Sequence, residues 1–276
     1  MRVRTIASLA CAVAVLSTAQ FAQAELLFSD NFNAPDTTNF DGAPLTGRLS
    51  GSLVGDVVAR SARTQQHIAG GQLRMIDANT GRLRFEPVTL GTSYDWAGGA
   101  GGAAILNNSM RVEFDWTATG SPPGDWISFN IGHRNHDEGE PGFRVNHGET
   151  DYGILFRNNG GTQRFDNGAG TTTGSFSATT DPVHVVIDLD FVSDSFADGS
   201  LVDAVASVDG VVVDTYTFDL NNNGGELFME LGTLETGMLI DNFSVTATPE
   251  PTSIAIWSLI GLGLAGFGYR RLRRQS

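Results

Sequence analysis

Alternation of apolar and polar residues along short segments is the feature that most constrains the fold of this chain. In the run Ile187–Phe191 (IDLDF), three apolar side chains fall on one side of an extended backbone and two aspartates on the other. Successive side chains of a strand point to opposite faces, so this run predicts a strand with one buried and one solvated face. We find no convincing segment with the 3.6-residue period of an amphipathic helix.

The same alternation predicts strands from residue 25 to residue 247. Asp209-Gly210 joins two such segments directly, which predicts a type I′ hairpin because both turn residues must accept positive φ. Stretches 96–102 and 158–175 are rich in small and polar residues, and we predict loops there. About a dozen short strands without helices predict an all-β fold, a two-sheet antiparallel β-sandwich. The predicted strands are 25–29, 55–60, 72–77, 82–88, 110–119, 125–132, 152–158, 183–191, 201–208, 211–220, 226–232 and 238–247.

The first 24 residues predict a signal peptide. Arg2 and Arg4 precede an apolar run that is too short to span a bilayer comfortably, and Ala22-Gln23-Ala24 offers the small residues that signal peptidase recognises. We therefore expect cleavage after Ala24. The one cysteine, Cys11, leaves with this segment, so the exported domain has no disulfide.

The charge of the exported domain is strongly negative. All 17 basic residues are arginines, and 11 of them lie between residues 25 and 250, together with all 31 acidic residues. Subtracting 31 from 11 gives a net charge of −20 for this segment. Such a surface repels nucleic acid and anionic headgroups and favours cations and neutral ligands; acidity that only maintains solubility is the alternative.

Residues 248–276 combine a short motif, an apolar run and a basic cluster. Pro249-Glu250-Pro251 is followed by 254–269, which has no charge and would form a helix of about 24 Å, short for a hydrocarbon core of about 30 Å. Arginines hold the end of such a transmembrane segment in the cytoplasm. The basic residues are Arg270, Arg271, Arg273 and Arg274.

This order of features resembles the PEP-CTERM sorting signal of Gram-negative bacteria. The resemblance implies recognition of Pro249-Glu250-Pro251 by an exosortase-type transpeptidase in the inner membrane, cleavage near the motif, and delivery to the outer surface or extracellular matrix. The domain division is then 1–24, 25–247 and 248–276. A simple single-pass tail anchor is the alternative.

A second resemblance concerns the β-domain. The opening LFSDNFN (27–33), the late SVDGVVVDTYTF (207–218) and the closing LIDNFSVT (239–246) resemble concanavalin A-like lectin and glucanase jelly rolls, including laminin G-like domains. The resemblance implies that the first and last strands are neighbours. It also implies a structural Ca²⁺ ion where they meet, with Asp241 and Asp30 as ligands; a turn capped by Asp241 is the alternative.

The laminarinase-type glucanases of this fold carry three carboxylates on one strand in the pattern E-x-D-x-x-E, or in a variant one residue shorter, and VEFDWT (112–117) resembles that motif in part. Glu113 and Asp115 match its first two positions, but the general acid would fall on Ala118 or Thr117. Without a proton donor a retaining mechanism fails. Two solvent-facing strand carboxylates are therefore favoured over catalysis.

DLNNNGGELFME (219–230) matches the calcium-loop pattern, with strand-like flanks instead of helices. An Asn-Gly turn explains the same residues. The oxygen ligands would be Asp219, Asn221, Asn223 and Glu230.

Carbohydrate binding requires aromatic rings beside polar side chains, because flat rings stack on the apolar faces of pyranoses. Such candidates are Tyr94, Asp95, Trp96, Asp125 and Trp126. Taken together, these features predict a non-catalytic surface or matrix protein that binds or structures exopolysaccharide. A diverged glycoside hydrolase or lyase and a purely structural matrix protein are the alternatives.

Overall fold

The computed structural model describes residues 24–33, 37–38, 43–44, 57–62, 65–76, 81–89, 93–94, 96–97, 99–106, 109–119, 126–134, 145–146, 148, 150–193, 195–221, 226–234 and 238–248. Residues 25–247 form one compact unit. The predicted signal peptide, apart from Ala24, and the predicted sorting segment, apart from Thr248, lie outside the described residues.

The described residues form eighteen strands and one helix, and all twelve predicted strands are present with boundaries shifted by a few residues at most. The first nine strands are β1 (Glu25–Asp30), β2 (Thr37–Thr38), β3 (Ala43–Pro44), β4 (Val57–Ala62), β5 (Gln65–Ala69), β6 (Gln72–Ile76), β7 (Gly81–Thr89), β8 (Ser93–Tyr94) and β9 (Ser109–Thr117), with helix α1 (Gly99–Leu106) before β9. The others are β10 (Trp126–Arg134), β11 (Tyr152–Arg157), β12 (Gly161–Asp166), β13 (Ala169–Ser175), β14 (Val183–Asp190), β15 (Leu201–Val208), β16 (Val211–Asp219), β17 (Glu226–Leu234) and β18 (Met238–Thr248).

Two antiparallel sheets make up the domain, as predicted. Sheet A has the order β16-β15-β14-β9-β18-β6-β5-β2, and β1 also pairs with β18. Sheet B has the order β13-β12-β11-β10-β17-β7-β4-β3, and β8 also pairs with β7. The all-β sandwich is therefore confirmed, and the first and last strands are neighbours, with Glu25 opposite Ala247.

The core lies between the two sheets because alternate residues of the central strands face inward. On β9, Met110, Val112, Phe114 and Trp116 are buried, and the residues between them are partly exposed. The ring of Tyr152 on β11 stacks on Phe218 of β16 at 5.3 Å between centroids, which links sheet B to sheet A. Full burial of one such side chain contributes about 1.5–3 kcal/mol, so this interleaved layer supplies the main stabilisation of a domain without disulfides.

Two hairpins close on left-handed turns. Asp209 and Gly210 have φ values of 50° and 76°, so the type I′ turn predicted there is confirmed. Asn167 and Gly168, at 45° and 82°, make a second turn between β12 and β13. These two strands occupy the stretch 158–175, where the prediction of a loop is wrong.

Helix α1 also departs from the predictions, since it begins in the glycine-rich stretch 96–102. A Cβ at Gly102 would lie 2.1 Å from the carbonyl oxygen of Ala97, so only glycine fits there. Ala104 and Ile105 of the same helix are buried in the core. Packing, rather than propensity or an amphipathic pattern, therefore holds this short helix.

Candidate functional site

An open groove lies where the terminal strands of the two sheets meet. β13 ends sheet B, β16 ends sheet A, and neither strand has a second neighbour in the described sheet orders. The cavity has a volume of about 400 Å³, within the range of small-molecule sites. We call it the edge groove, and its lining residues are Arg164, Thr171, Thr172, Thr173, Gly174, Val212, Val213, Asp214 and Thr215.

A bulge in β16 places a carboxylate in the interior beneath this groove. The pairing of β15 with β16 shifts between Ala206 and Ser207, which leaves Val213 without a partner of its own. Asp214 lies opposite the buried Ala206, and its side chain is only 3% exposed. A buried carboxylate requires hydrogen-bonding partners, and two residues of sheet B provide them.

Arg164 and Tyr152 complete this buried group. Arg164 Nη1 donates to Asp214 Oδ1 at 3.0 Å, and the Tyr152 hydroxyl donates to Asp214 Oδ2 at 3.2 Å. Burial, followed by the negative charge of Asp214, raises the pKa of Tyr152 well above its ordinary value. Tyr152 therefore stays protonated and acts as a hydrogen-bond donor.

The Arg164 guanidinium is fixed from a second side. Its carbon lies 3.6 Å from the centroid of the Tyr216 ring, a cation–π contact. The Tyr216 hydroxyl donates to Asp166 Oδ2 at 2.6 Å, and this hydrogen bond is the main cause that raises the pKa of Tyr216. The floor of the edge groove is thus a preorganised ion pair whose charges cancel each other.

Threonines and a glycine of β13 form one wall. Thr173 shares a hydrogen bond of 2.8 Å with Thr162, whereas Thr171, Thr172 and Thr215 are exposed. A Cβ at Gly174 would lie 2.6 Å from the carbonyl oxygen of Val213. Glycine therefore permits β13 to approach β16 closely at this end of the groove.

None of the residues that line the groove was a predicted site residue. One signal in the sequence was available: Asp214 shares the period-two phase of Tyr216 and Phe218, which places it on the inward face of its strand. A charged residue in an apolar phase indicates a buried partner. Its partner Arg164 is 50 residues away, so no local spacing identifies it.

The predicted catalytic candidates Glu113 and Asp115 lie together on the outer face of sheet A. Asp115 accepts hydrogen bonds from Asn242 Nδ2 at 2.7 Å and shares one with His184 Nδ1 at 2.8 Å. Glu113 lies 3.8 Å from Arg111 Nη1 and 4.0 Å from His184 Nε2. The two carboxylates are therefore engaged by neighbouring strands.

The positions where the glucanase-like motif would carry its acid hold no carboxylate. Ala118 is buried in the core, and Thr117 is partly exposed at the end of β9. The arrangement can accept hydrogen bonds and bind a positive charge. It has no proton donor of the kind that the retaining mechanism requires.

Asp30 and Asp241, the predicted calcium ligands at the chain ends, are close enough to interact. Asp30 is buried and accepts a hydrogen bond from the backbone N–H of Phe32 at 2.7 Å. Partial burial raises the pKa of Asp241, and the charges of Asp115 and Asp30 raise it further. Among the described residues, no three His, Cys, Asp or Glu side chains are arranged to hold a metal ion, so this calcium site stays a prediction.

The second calcium pattern does not form one continuous loop. Asp219 ends β16 in sheet A, whereas Glu230 lies in the middle of β17 in sheet B. Glu230 is buried and accepts a hydrogen bond from Asn130 Nδ2 at 3.3 Å. Asn221 follows β16 and is partly exposed, and Asn223 lies outside the described residues.

The predicted aromatic platforms are divided between the core and its margin. Trp96 is fully buried in the core, so its ring offers no face to a ligand and this prediction is corrected. Trp126 begins β10 and packs against a small apolar cluster of Val145, Leu155 and Phe165. Tyr94 lies in β8, and Asp95 and Asp125 lie outside the described residues.

Comparison with known proteins identifies the C-terminal segment. Residues 247–274 match the PEP-CTERM protein-sorting motif. The motif implies export by way of a membrane-anchored C-terminal signal and processing by an exosortase-type partner. No helix in the described part of the chain is long and apolar enough to cross a membrane, and the predicted span 254–269 lies outside that part. No curated protein matches the sequence.

Solved structures resemble the domain at the level of the fold. Trypanosoma rangeli sialidase aligns with a TM-score of 0.50 and 14% identity over 83% of this chain and 31% of the sialidase chain. A second sialidase aligns at 0.42 and 13% over 69% of this chain and 17% of its own. The Emp46p carbohydrate recognition domain, in its potassium-bound form, aligns at 0.44 and 10% over 69% of this chain and 88% of that one. The alignment at a TM-score of 0.50 supports the β-sandwich fold alone, and the domain covers less than a third of either sialidase chain.

Proposed function

We propose that this protein is delivered to the outer cell surface or the extracellular matrix, where its sandwich binds or structures exopolysaccharide without catalysis. Export is supported by the sorting motif at 247–274. Exosortase-type cleavage near Pro249-Glu250-Pro251 then releases the domain from the inner membrane.

The outer face of sheet A supports the non-catalytic part of this proposal. Asp115 is held by His184 and Asn242 of the two neighbouring strands, and Glu113 lies 3.8 Å from Arg111 on its own strand. The alanine at 118 faces the core, in place of a solvent-facing acid. This observation carries the non-catalytic assignment.

Sorting is tested by immunoblotting of fractionated cells. Wild-type protein is expected as a shortened form released from the inner membrane. Replacement of Pro249, Glu250 and Pro251 by alanine is expected to leave full-length protein in that membrane. Wild-type protein that also persists there at full length would contradict sorting.

Binding is tested with exported protein purified from cells, applied to a glycan array and to a reducing-sugar release assay. Retention on a glycan without release of reducing ends supports the proposal. Release of reducing sugar by the wild type that is lost in Glu113→Gln would instead establish a hydrolase. Neither binding nor release would indicate a purely structural protein.

A further inference from the structure

We propose that the edge groove between β13 and β16 is the saccharide site of this domain and that it takes a segment of an uncharged glycan. The inference rests on the proposed function and adds the location of the site and the class of glycan.

The groove presents the functional groups that hydroxyl-rich ligands require. Thr171, Thr172 and Thr215 each bring an exposed side-chain hydroxyl that both donates and accepts hydrogen bonds. Val212 is 59% exposed and supplies an apolar surface for the C–H face of a sugar ring. Polar groups of both kinds beside an apolar contact are the composition of a saccharide site rather than of a hydrophobic pocket.

The floor of the groove is already in place before a ligand arrives. Arg164 is held by Asp214 at 3.0 Å and by the Tyr216 ring at 3.6 Å, and its side chain is 17% exposed. A guanidinium has five N–H donors in a fixed plane, and the hydrogen bond to Asp214 uses one of them. A rigid donor that is only slightly exposed loses little entropy when it binds a hydroxyl.

Charge selects an uncharged ligand. The positive charge of Arg164 is cancelled by Asp214 in direct contact. Residues 25–250 carry a net charge of −20, obtained from 11 arginines and 31 acidic residues, and this charge repels polyanions. A uronate or sulfated glycan would therefore meet repulsion without a free cation at the groove floor to offset it.

The groove does not fit an added β-strand. Neighbouring strands lie about 4.8 Å apart, so a peptide inserted between two edges needs about twice that distance. β13 already approaches β16 so closely that a Cβ at Gly174 would lie 2.6 Å from the Val213 carbonyl oxygen. An extended peptide therefore cannot pair along the whole groove, whereas a short saccharide needs only part of it.

The test uses exported protein with Thr171→Val and Thr215→Val, which remove two hydroxyls and keep the side-chain shape. The probes are neutral cello-, laminari-, manno- and galacto-oligosaccharides, with oligogalacturonate as the anionic counterpart. The expected result for the double variant is affinity roughly tenfold weaker or more for the neutral glycan, since each lost hydrogen bond weakens binding severalfold. Thr246→Val, at a partly exposed position of β18 away from the groove, is the matched control and is expected to bind like the wild type.

Hydroxyl-radical footprinting of the wild-type protein locates the ligand independently of any variant. Protection is expected at 171–174 and 211–215 when the neutral oligosaccharide is bound. Glycan binding with unchanged affinity in the double variant and protection elsewhere would overturn the edge groove but leave the proposed function intact. Binding of no glycan by the wild type would overturn both, and a preference for oligogalacturonate or for an extended peptide would overturn the choice of ligand.

Discussion

Arg111 on β9 lies directly opposite Asp188 on β14, and the two side chains form a two-point ion pair on the outer face of sheet A. Arg111 Nε and Nη2 donate to the two carboxylate oxygens at 2.6 and 2.9 Å, and the hydrogen bond to Asp188 is the main cause that raises the pKa of Arg111. The pair shows that the outer face is a network of strand-to-strand contacts.

Asp188→Asn tests how much this pair contributes to stability. The two side chains are 40% and 35% exposed, so solvent screens their attraction and the expected loss is below about 1 kcal/mol. Urea unfolding at low and high salt measures it, and the difference from wild type should shrink with added salt. A loss of several kcal/mol would contradict an exposed, screened pair.

Asp214→Asn is expected to have a much larger effect. Removal of one partner leaves the positive charge of Arg164 buried without compensation, which costs about 3–5 kcal/mol in buried pairs. Unfolding by urea measures the loss, with Asp203→Asn on the exposed face of β15 as the control. A similar loss in both variants would contradict the role of the buried pair.

Two glycine-to-alanine changes separate backbone strain from close packing. Gly210 has φ of 76° with open space around it, so Gly210→Ala is expected to cost about 1–2 kcal/mol through strain alone. Gly174 touches Val213 closely, so Gly174→Ala is expected to displace β16 as well. Footprinting of residues 211–215 distinguishes them: exposure should increase in Gly174→Ala and not in Gly210→Ala.

The pH dependence of stability reports on Asp241. Its pKa in the folded protein is raised above the ordinary value of 3.8, so the folded state holds the proton more tightly. The free energy of unfolding therefore falls as the pH rises from that value through the folded pKa. Asp241→Asn should remove this fall and be more stable than wild type at neutral pH, measured by urea unfolding across pH 4–7. An unchanged profile would contradict the partial burial of Asp241 and its proximity to the charges of Asp115 and Asp30.

Calcium tests the predicted metal site at the paired chain ends. A cation between Asp30 and Asp241 would offset their repulsion, so added Ca²⁺ should raise the melting temperature and a chelator should lower it. Asp241→Asn should abolish the response, and Asp219→Asn should retain it. A melting temperature that changes neither with Ca²⁺ nor with the chelator would contradict both predicted calcium sites, the one at Asp30 and Asp241 and the one in 219–230.

The sequence predicted the positions of the strands well where one face of the strand is buried and the other is exposed to solvent. In β9 and β14, buried and partly exposed residues alternate because only one face of each strand packs in the core. The ends of the alternation therefore predict the ends of these strands. β13, Ala-Gly-Thr-Thr-Thr-Gly-Ser, has no apolar phase because it ends a sheet and is mostly exposed. The stretch was therefore predicted as a loop, although Asn167-Gly168 is a dipeptide typical of hairpin turns.

The edge groove was beyond prediction for a different reason. It depends on a bulge at Val213 that shifts the phase of β16 and on a pair of residues 50 positions apart. Neither a bulge nor a long-range contact leaves a local period in the sequence. The outer-face carboxylates Glu113 and Asp115 were found because they share one strand.

The position of β18 sets the order in which the domain is completed during synthesis. β18 follows every other strand in the sequence, yet it lies between β9 and β6 in the middle of sheet A and brings Phe243 against Phe28 and Phe114. Contacts between residues so distant in sequence form slowly because the intervening chain must first close into a loop. The domain therefore closes only when the strand next to the segment that matches the sorting motif has joined sheet A.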